Sequence, residues 1–242
     1  MNMRQLFTMV IFVTLLMVDQ SPACAQLGDF FKNAQKKLSG NKLSTDKITS
    51  GLKEALSIGT GKAVETASQE DGYFKNPDIR IPLPSKVTKM EKILDAAGMG
   101  QQVSDFKLSM NRAAEQAAPE AKDLFLGAIT EMSFSDAQNI LEGGDNAATL
   151  YFKDKTYGRL QEIFQPIVHN SMANTGVTRN YQEIEGKIDS IPFASSLNLD
   201  LDEYVTDKAL DGLFFLVAEE ERKIREDPAA RATDLLKDVF GK

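Results

Sequence analysis

Residues 200–226 read DLDEYVTDKALDGLFFLVAEEERKIRE, and their spacing decides the fold class. Tyr204, Leu210, Leu213, Phe214, Leu216 and Val217 recur at helical intervals. Asp200 or Asp202 stands where an N-cap belongs, and the acidic first turn faces the positive end of the helix. A charged run from Glu219 to Arg225 extends the helix to a stop at Asp227-Pro228, and it reads as a solvated face with one inward ion pair. Beyond the stop, Leu235, Leu236, Val239 and Phe240 form a short final helix ended by Gly241.

Moving toward the N-terminus, the same period recurs almost everywhere. It predicts helices over about residues 101–118, 119–132, 135–142, 146–153, 156–173 and 177–189. Pro119 suits a helix first turn, Gly143-Gly144 marks a stop, and Pro166 is expected to kink or break its helix. Ser85 is expected to cap a helix ending at Gly98. One stretch differs. In Asn76–Pro84, Ile79, Ile81 and Leu83 alternate with Arg80, Pro82 and Pro84. The prolines remove ladder donors, so this reads as an extended strap laid over the core rather than as a strand. Before it, Ser44 or Thr45 opens a helix whose stripe is Ile48, Leu52, Leu56, Ala63 and Ala67, ending near Asp71-Gly72. Gly51, Gly59 and Gly61 lie inside that helix, where each costs about 1 kcal/mol relative to Ala unless a neighbour approaches closely. No repeat of 20–50 residues recurs, so a solenoid is not indicated. The expectation is an all-α domain over residues 44–242, one compact body of about ten helices crossed by the strap.

The first 43 residues have a separate logic. Arg4 precedes an apolar run from Leu6 to Val18, which as a helix spans about 20 Å, too short for a hydrocarbon core of about 30 Å. Asp19-Gln20-Ser21-Pro22 ends the run, and Ala23-Cys24-Ala25 offers the small residues a signal peptidase accepts. Residues 1–25 are therefore expected to be a leader cleaved before Gln26, delivering a periplasmic or secreted protein. The alternative is a lipoprotein anchored through Cys24, but Ser21 and a polar spacer stand where that pattern wants an apolar residue. Residues 26–43 form an amphipathic arm: Leu27, Phe30, Phe31, Ala34 and Leu38 make one stripe, with Lys32, Lys36 and Lys37 off it. Its surface is either the protein's own acidic C-terminal region or an anionic bilayer, with Phe30, Phe31, Lys32, Lys36 and Lys37 as membrane-surface residues.

Composition narrows the chemistry. The net charge is −7, which disfavours nucleic acid as a partner. The chain has one His, one Cys and no Trp, so a disulfide framework, Cys₂His₂ zinc and most haem ligation are excluded. His169 sits among Ile163, Phe164, Ile167 and Met172, reads as the margin of an apolar face, and no G-x-S-x-G elbow accompanies it. Gly59-Thr60-Gly61-Lys62 fails as a phosphate loop, because Ala63 stands where Ser or Thr must reach the metal. Asn198, Asp200, Asp202 and Glu203 fail as a calcium loop, because Glu203 occupies the glycine position and Ala209 the bidentate glutamate position. No metal, cofactor or catalytic residue is assigned.

The polar group that stands out is Asn111, Arg112 and Glu115, spaced to meet on one helix side among Ala113, Ala114, Ala117 and Ala118. Arg112 is able to hold the anionic head of a ligand, with Arg80 of the strap as a further candidate contact. The competing account is structural, an Arg–Glu pair that sets helix register.

The blocks NPDIRIPLP (76–84), NRAAEQAAPEAKDLF (111–125), FSDAQNILEGGDNAATLYF (134–152) and KALDGLFFLVAEEERKIREDPAARATDLLKDVFG (208–241) occur in that order. In this the chain resembles a bacterial exported family catalogued as domain of unknown function 4197, over about residues 44–241. The resemblance implies an all-helical, single-domain envelope protein and carries over no activity and no site residues. The functional expectation is non-enzymatic binding of an envelope protein partner, a lipid or another apolar ligand. The alternative is a hydrolase using carboxylate pairs alone, as in glycan cleavage, which requires two carboxylates facing across about 5–9.5 Å.

Overall fold

The computed structural model describes residues 45–174, 177–189 and 199–226. The expected leader, the arm with Phe30, Phe31, Lys32, Lys36 and Lys37, Asn198 and the short final helix lie outside these residues. In chain order the helices are α1 (Thr45–Ser68), α2 (Ser85–Ala96), α3 (Gly100–Ala117), α4 (Ala121–Glu131), α5 (Phe134–Glu142), α6 (Ala147–Asn174), α7 (Val177–Asp189) and α8 (Leu201–Glu226). A single 3₁₀ turn over Ala118–Glu120, with Pro119 inside it, joins α3 to α4. No strand occurs among the described residues, and the all-α class holds.

Helix α6 lies against α3 and α8, and α1 closes the other side of α8. The centre is aromatic: Phe125 of α4 meets Phe152 of α6 at 5.3 Å and Phe214 of α8 at 6.0 Å, both edge-on. That offset geometry suits the ring quadrupoles. On the flank, Tyr181 of α7 packs 5.4 Å from Phe106 of α3.

Two local expectations are revised, and the choice of cap at α8 is resolved. Residues 147–174 form one helix, not two, and the helix runs through Pro166. Its burial pattern explains this: Ala148, Phe152, Thr156, Leu160, Phe164, Val168 and Met172 are all buried, one every fourth residue, a stripe that winds slowly round the helix as it crosses its neighbours. Interrupting the helix would withdraw part of that stripe from the core. Pro166 is exposed, so the carbonyl it leaves without a donor, on Glu162, lies on the hydrated side. Ser85 is the first residue of α2 rather than its cap; Pro84 holds the cap position and no side chain caps the turn. At α8 the cap is Asp200, whose Oδ1 accepts from Glu203 N at 3.0 Å, while Asp202 turns aside to His169.

A glycine marks the close approach of α1 and α8. A Cβ on Gly59 would sit 3.2 Å from Ile224 Cδ1, so the glycine lies where α8 presses on α1. The charged run of α8 does contain an inward ion pair. Glu221 and Arg225 meet at 2.8 Å with side chains 4% and 17% exposed. Glu221 is also the cap of α6: it accepts from Ala148 N at 3.0 Å, Thr149 N at 2.8 Å and Thr149 Oγ1 at 2.8 Å. A helix start buried against another helix has orphan N–H groups, and a carboxylate also complements its positive end.

Candidate functional site

The strap and the two helices it crosses bring together most of the polar residues singled out by sequence. After α1 the chain reverses at Asp71, which takes φ 68°, a left-handed conformation uncommon outside glycine. Asn76 then shapes the next turn, its Oδ1 accepting from Asp78 N at 3.1 Å and its carbonyl from Arg80 N at 2.9 Å. From there the strap alternates as the sequence predicts as far as Leu83: Ile79, Ile81 and Leu83 are buried and Arg80 and Pro82 exposed, whereas Pro84, expected on the outer face, is buried where it leads into α2.

An extended segment with no strand neighbour needs other partners for its backbone. Helix α3 supplies them. The Asn111 amide acts as a one-residue strand: its Oδ1 accepts from Ile81 N at 2.8 Å and its Nδ2 donates to Ile81 O at 3.1 Å. One turn on, Glu115 Oε1 accepts from Tyr73 N at 3.0 Å and Phe74 N at 3.1 Å. Arg112 bridges the two sides, donating to Glu115 Oε2 at 2.6 Å and to Asp71 Oδ1 at 2.8 Å. Asp71 also meets Lys75 at 2.7 Å. The Lys75 ammonium, helped by the Arg112 guanidinium, holds the Asp71 carboxyl below its ordinary range, while burial works the other way.

Helix α8 holds the same stretch of chain. Tyr73 is fully buried and donates its hydroxyl to Ala209 O at 2.7 Å; burial, with Glu115 adding, raises its phenol well above the usual range. Tyr204 donates to Pro82 O at 3.0 Å. A Cβ on Gly212 would lie 2.8 Å from Tyr73 Cε1 and 3.0 Å from Ile79 Cβ, so only glycine lets the strap lie this close to the helix.

The four candidate ligand contacts therefore separate into two places. Asn111, Arg112 and Glu115 are committed locally: the Asn111 side chain is bonded to the strap, and Glu115 and Arg112 to the turn that leads into it. Arg80 is exposed on the strap itself, at an open groove of about 340 Å³ between strap and α8, lined by Arg80, Pro82, Lys208, Asp211, Gly212 and Phe215. Lys208 and Asp211 pair at 3.0 Å, whereas Arg80 has no ion-pair partner among the described residues. Phe215 is 41% exposed and gives the groove an apolar ring. Phe215 was legible only as the residue out of phase with the apolar stripe that includes Phe214.

The remaining sequence candidates have local accounts. His169 is exposed beside the buried Val168, its Nδ1 2.7 Å from Asp202 Oδ2. Gly59-Thr60-Gly61-Lys62 lies within α1, and Thr60 donates to Leu56 O at 2.7 Å, a bond inside its own helix. No group of three or more His, Cys, Asp and Glu side chains able to hold a metal occurs among the described residues. No helix among them is long and apolar enough to cross a membrane.

The two buried carboxylates among the described residues have every oxygen engaged. Glu115 serves two backbone N–H groups and Arg112. Glu221 serves the start of α6 and Arg225, which also reaches Ile140 O at 2.9 Å. Such carboxylates are organised to hold backbone in place.

No curated protein matches the chain, and no solved structure matches it. The family models do recognise it. Residues 42–241 match the model described as "Protein of unknown function (DUF4197)", and the chain belongs to that family.

Proposed function

We propose that the protein is an exported, non-enzymatic binding protein of the bacterial envelope, which takes a protein partner or an apolar ligand on the groove between strap and α8. Residues 1–25 deliver it, with the leader removed before Gln26, and the arm at 26–43 adds peripheral contact with the membrane surface. The observation that carries the reading is the division of polar chemistry across the strap. The buried carboxylates are committed to backbone and arginine partners. An unpaired guanidinium and a half-exposed aromatic ring are left at an open groove on a rigidly held floor. A rigid floor favours binding, because little entropy is lost in ordering it. The reading calls for no cofactor and no nucleic acid.

The test is native mass spectrometry of the full-length gene product, purified from the envelope fraction of a bacterial host. The expected spectrum shows a mature chain starting at Gln26 with a retained ligand or partner, and that adduct is lost in Phe215→Ala and Arg80→Gln. Adducts that survive both substitutions would overturn the groove as the binding face. A diacyl or triacyl mass on Cys24 would replace the soluble form with the lipoprotein. Turnover of envelope glycan by the purified chain, abolished in a carboxylate variant, would replace binding with the hydrolase reading.

A further inference from the structure

We draw no further inference here: the strongest candidate, the exposed apolar residues Phe134 and Leu150 on the first turns of α5 and α6, is an unpartnered surface patch and nothing in the structure shows what covers it.

Discussion

Replacing Glu115 by alanine should release the front of the strap. The carboxylate is 5% exposed and holds Tyr73 N, Phe74 N and the Arg112 guanidinium together. Its loss strands Tyr73 N in the interior, and an unsatisfied buried donor costs about 1–3 kcal/mol. Phe74 N is only partly buried and recovers some hydration. Arg112 keeps its 2.8 Å contact with Asp71 and is 26% exposed, so it does not become an isolated buried charge. The cost therefore falls at the lower end of the range of about 3–5 kcal/mol for breaking a buried pair, near 3 kcal/mol. For a chain of this size that lowers Tm by about 6–12 °C, at about 2–4 °C per kcal/mol. The assay is urea and thermal unfolding of the full chain by circular dichroism, with Glu115→Gln alongside. The amide keeps one acceptor for the two N–H groups but turns its NH2 donor toward the Arg112 guanidinium, so it should keep the stretch of chain at Tyr73 in place while losing the Arg112 bond, and cost less than alanine. If Glu115→Ala unfolds within about 0.5 kcal/mol of wild type, the level of an ordinary surface substitution, the latch has been misread.

Other perturbations address separate parts of the account. Gly212→Ala places a methyl group against the Tyr73 ring and Ile79, and should cost about 1–3 kcal/mol by overpacking; unchanged urea unfolding would show that the strap shifts freely. Asp71 is held below its ordinary value of 3.8, so its contribution to stability is complete above that pH and is lost as pH falls through the depressed folded value. Asp71→Asn should accordingly flatten the acid limb of a Tm–pH profile below about pH 4, and a limb as steep as wild type would exclude this carboxylate as a source. The mature chain should co-sediment with vesicles containing anionic lipid at low salt, and a variant lacking residues 26–40 should not. Equal pelleting of the two would remove the arm from the membrane reading, and pelleting indifferent to salt would remove its lysines.

Much of this was readable from local pattern, for a definite physical reason. A helix or strap that buries one face must repeat apolar residues at its own period, and that requirement is met within the segment itself. The stripe of α8, the alternation of Ile79, Ile81 and Leu83, and the grouping of Asn111, Arg112 and Glu115 on one side of a helix are all of this kind. Glu221 was nearly legible too, since it falls one turn after Val217 on the buried stripe. What it caps was not, because Thr149 lies 72 residues away in sequence. Period tells which polar side chains turn inward, but their partners depend on which element crosses them. The same limit explains α6: local propensity marks Pro166 as a kink or a break, while the helix continues through it because α3 and α8 together cover its buried residues. The groove is further still from the sequence. Arg80 and Phe215 lie on different elements, and they line one groove only because Gly212 lets the strap settle against α8 and Asn111 holds it there. Composition and period determined the helical class, the strap and the inward polar residues. The tertiary structure decided which of them are held by backbone and which remain open to a ligand, because that depends on contacts between segments distant in the chain.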